Sequence, residues 1–177
     1  MKLIKILIYN YLNYLIFNFY LVIKNMLKKF IPDNLVSKDG KVEKTKVFEA
    51  PLVGLYFSAL WCPPCVGFNP LMLDFYKKAN IDKLNLEIIF CSLDEDEDDF
   101  NQYLQKLPFA AIDYSDPKLE DLTSAFAIET IPVLIIFDNN GNLIDVNGRT
   151  SIQGKNKTTP DETIKTWLEK SKLKNSS

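Results

Sequence analysis

The pentapeptide Trp61-Cys62-Pro63-Pro64-Cys65 stands between two segments of opposite periodicity, and that junction constrains the chain more than any other feature. Before it, Leu52 to Ser58 is an unbroken apolar and aromatic run, the pattern of a strand buried on both faces of a sheet. After it, Phe68, Leu71, Met72 and Phe75 recur at i, i+3, i+4 and i+7, which predicts one face of a helix running to about Ala79. Pro70 falls inside that helix and is expected to kink it, because proline removes a backbone donor and crowds the preceding turn. A second buried run, Leu86 to Ser92, follows the helix. The two strands around it are therefore expected to be parallel, joined by a right-handed crossover.

The remaining pattern extends this layered design. Asp39-Gly40 predicts a turn between Leu35-Val36 and the alternating segment Val42 to Phe48. Asp96 to Lys106 reads as a helix with Phe100, Tyr103, Leu104 and Leu107 inward, and Leu119 to Ala127 as a shorter one. Pro132 to Asp138 is a third β-rich run; Asn139-Asn140-Gly141 turns the chain, and Leu143 to Val146 returns antiparallel. A last helix starts after Thr159-Pro160-Asp161-Glu162, with Ile164, Trp167 and Leu168 facing the core. The order predicts an α/β domain over residues 26–177, with a mixed central β-sheet flanked by helices on both faces.

Residues 1–25 differ in kind. Ile6 to Ile23 is apolar and aromatic, flanked by Lys2, Lys5 and Lys24. Three readings stand: a membrane anchor, a cleaved signal peptide, or translated upstream sequence with Met26 as the real start. A run of about 18 residues is near the lower limit for crossing a bilayer. Asn10, Asn13 and Asn18 interrupt it, and no small-x-small cleavage site follows. The expectation is a cytoplasmic protein, membrane-anchored through residues 6–23 if that extension is real.

The chain has three cysteines and no histidine. Ser-His and Cys-His pairs are thereby excluded, along with any His-ligated metal. A closed structural zinc site takes four ligands, and beyond the CxxC pair only Cys91 is left, so one chain cannot complete it; two chains would supply four thiolates for a shared cluster. With 21 basic and 23 acidic residues, the net charge of -2 offers no electrostatic argument for nucleic acid. Redox chemistry suits the placement better. Cys62 lies where the helix N-terminus aims unpaired N–H groups, and such CxxC motifs bring a thiol pKa from near ~8.5 to about 7 or below. Cys62 is expected to be the exposed nucleophile and Cys65, enclosed by the helix it opens, the resolving thiol. Pro63 and Pro64 stiffen the loop and offer no N–H to compete for the sulfur.

Three separated blocks then identify relatives: GLYFSALWCPPCVGFNPLMLDFY, EIIFCSLDEDEDDFNQYLQKLPF, and AIETIPVLIIFDNNGNLI ending near Gly148-Arg149. In this order they resemble the tryparedoxin and nucleoredoxin branch of the thioredoxin superfamily, over about Met26 to Ile152. The resemblance implies a thioredoxin fold, a redox pair at Cys62 and Cys65, and a cis-proline at Pro132 after Ile131 that presents backbone to substrate. It also implies substrate contacts from Trp61, Pro63, Pro64 and Arg149, the last matching a family arginine that binds the thiol substrate. No cofactor is implied. The implied partners are protein disulfides such as those of peroxidases, and an upstream dithiol or flavoenzyme reductant.

Two departures qualify the likeness. Val66 stands where the family commonly has arginine after CPPC, and Leu93 where it has tryptophan, which weakens the expectation of a low-molecular-weight thiol partner. Tyr56, as in tryparedoxin relatives, occupies the place of the buried aspartate of bacterial-type thioredoxins, so no carboxylate base for Cys65 is evident there. Asp94 to Asp99, six consecutive acids, is expected to be a solvated loop favouring the following helix N-terminus, with Glu95 near the active site by resemblance. Cys91 is expected to be an inert core thiol. The expected function is reduction of protein disulfides through the WCPPC dithiol. Its rivals are a membrane-tethered disulfide folding factor and a non-catalytic module that binds its partner in a redox-dependent way.

Overall fold

The two runs that read as buried strands lie side by side at the centre of one sheet. The computed structural model describes residues 27–154 and 158–176, so the apolar extension 1–25 lies outside the described residues. The strands are β1 (Asn34–Ser37), β2 (Gly40–Glu43), β3 (Leu52–Ser58), β4 (Leu86–Ser92), β5 (Ala110–Ala111), β6 (Val133–Asp138) and β7 (Leu143–Asp145). Their order across the sheet is β2-β1-β5-β4-β3-β6-β7. β3, β4 and β5 are parallel, with Leu52 opposite Leu86 and Ser58 opposite Ser92; β6 runs antiparallel on the other side of β3.

The helices are α1 (Lys44–Val47), α2 (Pro63–Ala79), α3 (Glu97–Leu104), α4 (Lys118–Ala125), α5 (Gly148–Ile152) and α6 (Pro160–Asn175). They cover both faces, as expected. Strand alternation explains why β3 has no polar face: Leu52 and Tyr56 enter the core with Phe68, Met72 and Phe75 of α2, whereas Val53, Leu55 and Phe57 enter the opposite core with Val47 and Leu122. Each buried Phe or Met side chain is worth about 1.5–3 kcal/mol, so three of them fix α2 to the sheet. Phe75 also meets Trp167 of α6 edge-on at 5.6 Å; truncating it to alanine would cost about 3–5 kcal/mol and uncouple the two helices.

Local chemistry sets the ends of these elements. Asp96 caps α3 by accepting the Asp99 N–H at 2.8 Å, so the helix starts one residue later than the acid run suggests. Thr159 and Glu162 form a reciprocal capping box for α6. One expectation needs correction. The strand over Val42 to Phe48 stops at Glu43: the Lys44 N–H turns to the Asp33 carbonyl at 2.9 Å, its ammonium pairs with the Asp33 carboxylate, and α1 tucks Val47 under the sheet. Pro70 lies inside α2 as expected, and Pro70 and Val66 are on its exposed side, where water can serve the carbonyl that loses its donor. The short β5 and α5 had no sequence signal of their own.

Candidate active site

β3 ends at Ser58, and four residues later Cys62 becomes the N-cap of α2, with extended φ/ψ of -94° and 106°. Pro63 and Pro64 fill the first helical positions, where a missing N–H costs nothing. The Cys62 carbonyl accepts the N–H groups of Cys65 at 3.0 Å and Val66 at 3.1 Å, so the helix begins on the first cysteine's own backbone. Cys62 and Cys65 are joined as a disulfide, Cα to Cα 5.2 Å. Their order of burial is as expected, but the degree is not: Cys62 keeps only 4% exposure against 0% for Cys65. Leu93 and Ile131 pack against the cluster that the two cysteines form with Ala59.

The strand entering β6 closes the site. Ile131-Pro132 is a cis peptide, and the Ile131 carbonyl lies 3.9 Å from the Cys62 sulfur. Arg149 reaches the same loop: its guanidinium is 3.5 Å from the Pro132 carbonyl and 5.9 Å from the centre of the Phe68 ring. Gly148 makes this possible, since a Cβ there would stand 2.9 Å from the Leu134 carbonyl oxygen; any larger residue would push α5, and Arg149 with it, away from β6. The Arg149 Nε is buried without a hydrogen-bond partner among the described residues, as is Asn69 Oδ1 on α2.

The exposed side chains along residues 61–71 are mostly apolar. Trp61 is 52% exposed and its indole N–H donates to the Leu93 carbonyl at 2.9 Å, so it borders the site instead of filling the core. Pro63, Pro64 and Pro70 are exposed, Val66 is 47% and Leu71 41% exposed. No charged residue occurs in the chain between Glu49 and Asp74.

Near Ser58 lies a polar cluster whose members, Tyr56, Ser58 and Tyr103, the sequence placed separately inside the core but not together. The Tyr56 and Tyr103 hydroxyls are 3.3 Å apart, and Ser58 Oγ is 3.0 Å from each. Burial pushes both phenols up, so they stay neutral hydrogen-bonding groups. Cys91 is fully buried and desolvation raises its thiol, which agrees with an inert core residue. Asp94 corrects the reading of the acid run as a solvated loop: it is buried, accepts the Leu60 N–H and the Ser92 hydroxyl, each at 2.6 Å, and burial raises its pKa. Of the remaining acids, Glu95 to Asp98 are exposed and Asp99 is half-buried. A usable signal existed, since an acid two residues beyond a strand that runs parallel to β3 must lie beside the loop leaving β3.

A dithiol at a strand-to-helix junction, faced by a cis-proline loop on a mixed sheet, is the arrangement of a thiol–disulfide oxidoreductase of the thioredoxin fold. The chain matches the family model described as thioredoxin-like over residues 51–143. It is 38% identical over 130 residues to tryparedoxin of Trypanosoma brucei brucei, covering 71% of this chain and 89% of that protein. It is 38% identical over 117 residues to probable nucleoredoxin 1 of Arabidopsis thaliana, covering 66% of this chain and 20% of that one. Human nucleoredoxin is 34% identical over 126 residues, 71% of this chain and 29% of its own length. The chain thus spans less than a third of these nucleoredoxins. Among solved structures, tryparedoxin from Trypanosoma brucei aligns with a TM-score of 0.67 at 36% identity, over 73% of this chain and 92% of that one. Tryparedoxin II complexed with glutathionylspermidine aligns at 0.66 and 34%, over 74% and 93%. The chain belongs to the thioredoxin-like family, in the branch that holds the tryparedoxins and nucleoredoxins.

Proposed function

We propose that this chain reduces protein disulfides, with Cys62 as nucleophile and Cys65 as resolving thiol. The observation that supports this most is the convergence on one sulfur of a helix N-terminus and the Ile131 carbonyl at 3.9 Å, beside the exposed Trp61. The Cys62 thiolate attacks one sulfur of the partner's disulfide; the other sulfur leaves as a thiolate and takes a proton, and a mixed disulfide forms. Cys65, as thiolate, then attacks the Cys62 sulfur, releases the second partner thiol and leaves the Cys62–Cys65 disulfide. An upstream dithiol or flavoenzyme returns two electrons and two protons.

The other residues serve binding. The backbone of Ile131, just ahead of Pro132, offers strand-like pairing to an extended substrate segment. Trp61, Pro63 and Pro64 form the rim against which that segment packs, and Arg149 adds hydrogen-bond donors beside the Pro132 carbonyl. The apolar side of the rim suits a folded protein partner, such as a peroxidase, whose disulfide sits in apolar surface. The working unit is the domain of residues 26–177, placed in the cytoplasm, where dithiols are kept reduced. Among the described residues no helix is long and apolar enough to cross a membrane.

Insulin reduction by dithiothreitol, followed with wild type and Cys62→Ser, tests the reading: wild type accelerates the reaction and the variant does not. Equal rates would leave only the non-catalytic module. Cys65→Ser is expected to accumulate mixed disulfides on Cys62, and mass spectrometry of those adducts names the partners.

A further inference from the structure

Asp94 is the one buried member of the acid run, at 8% exposure. Both of its carboxylate oxygens are committed: Oδ1 accepts the Leu60 N–H and Oδ2 the Ser92 hydroxyl, each at 2.6 Å. Its own N–H returns to Ser92 Oγ at 3.0 Å. Neighbouring bonds complete a staple. The Leu93 N–H meets the Ser58 carbonyl at 2.9 Å, and the Trp61 indole N–H meets the Leu93 carbonyl at 2.9 Å. Residues 58–61, the link from β3 to Cys62, are thus tied at three points to residues 93–94 beyond β4.

Leu60 explains why a carboxylate is needed. It lies past the last ladder bond of β3 and before the first turn of α2, so neither sheet nor helix supplies an acceptor for its N–H. An ionised acceptor makes a hydrogen bond roughly twice as strong as a neutral one. Taking that carboxylate out of water costs free energy, so stability alone does not account for the residue.

We propose that Asp94 is a positioning residue for disulfide exchange: through the Leu60 amide it holds the strand-to-helix loop so that the Cys62 sulfur and the Trp61 indole meet an incoming disulfide in one fixed geometry. Asp94 itself touches no substrate. The inference rests on the exchange reaction proposed above.

Full-length wild type, Asp94→Ala and Asp94→Asn are compared in insulin reduction by dithiothreitol, in the pH profile of iodoacetamide alkylation of reduced Cys62, and in hydrogen exchange of the Leu60 amide. The alanine variant is expected to lose on the order of tenfold to a hundredfold in kcat/KM, the cost of displacing a reacting group by about an ångström, and its alkylation profile moves. The asparagine variant, whose carbonyl still accepts the Leu60 N–H, stays within about threefold of wild type. An alanine variant that matches wild type in rate and alkylation overturns the proposal, and so does an asparagine variant as slow as alanine. If the alanine variant does not fold, the Leu60 amide decides: protection in wild type that Asp94→Asn retains supports the staple, and exchange at the rate of an open loop overturns it. Failure of the exchange reading looks different, because wild type would then reduce no insulin while alkylation and amide protection still judge Asp94.

Discussion

Asp94 and Asp138 are both buried, yet they sit at opposite poles of the sheet, because β6 runs antiparallel to β3 and carries Asp138 to the end where Leu52 begins. Asp138 is fully enclosed and caged. Its Oδ1 accepts the N–H groups of Asn140 at 2.9 Å and Asn142 at 2.8 Å; its Oδ2 accepts from Asn142 Nδ2, Ser171 Oγ and Asn175 Nδ2. That cage ties the β6–β7 turn to the end of α6. Asp94 has two donors, and its burial is opposed by them only in part, with Asp99 and Asp96 adding repulsion. The caged carboxylate closes the fold; the less-satisfied one faces the reactive pole, which otherwise carries no charge between Glu49 and Asp74. Local free energy at the two poles is arranged for different ends.

The sharpest way to separate the poles is Cys62→Ser, which should abolish insulin reduction while leaving the urea midpoint of the reduced protein within experimental error. A large loss of stability in that variant would show that the reactive pole also carries the fold. The converse change, Asp138→Ala, leaves several buried donors without an acceptor and should cost roughly 3 kcal/mol in urea unfolding. Exchange activity per folded molecule should not change, as titrated by insulin reduction at low denaturant.

A smaller effect is expected at the rim. Val66→Arg adds a cation beside the dithiol and should raise kcat/KM for glutathione disulfide about threefold at low salt, less at high salt, with little gain for insulin. No change with glutathione disulfide would mean that the missing charge does not select the partner.

The smallest effect is in pH. Burial is the first cause of the raised pKa of Asp94, from an ordinary 3.8, so the folded state prefers it protonated. Its ionisation therefore subtracts stability progressively as pH rises from the ordinary carboxylate value through the elevated folded one. Asp99 and Asp96 add to that direction by repulsion, while the bonds from Ser92 and Leu60 oppose it. Asp94→Asn should flatten this part of the stability curve above the ordinary carboxylate value, and be no less stable than wild type near neutrality. A variant curve parallel to wild type would remove Asp94 as the cause.

Much of the site was legible because its signals are local. Cys62 and Cys65 are set by a strand running into a helix within a few residues, whereas Trp61 and Pro132 were marked as site residues only by the resemblance to relatives. The Tyr56–Ser58–Tyr103 cluster was not, since Tyr103 lies 45 residues from Ser58 and nothing in either segment announces the other. The acid run misled for a related reason: six like residues look equivalent in sequence, and only the register of β4 against β3 decides which one turns inward.

Periodicity and punctuation by themselves determined the buried strands, the amphipathic α2, the dithiol at their junction and hence the layered α/β design, because each depends on contacts within a turn or a strand. Tertiary structure alone decided that Asp94 leaves water, that Cys62 keeps only 4% exposure, and that Arg149 reaches the Pro132 carbonyl past Gly148. Burial and electrostatics depend on what packs over a group, and here the covering residues come from segments tens of residues away.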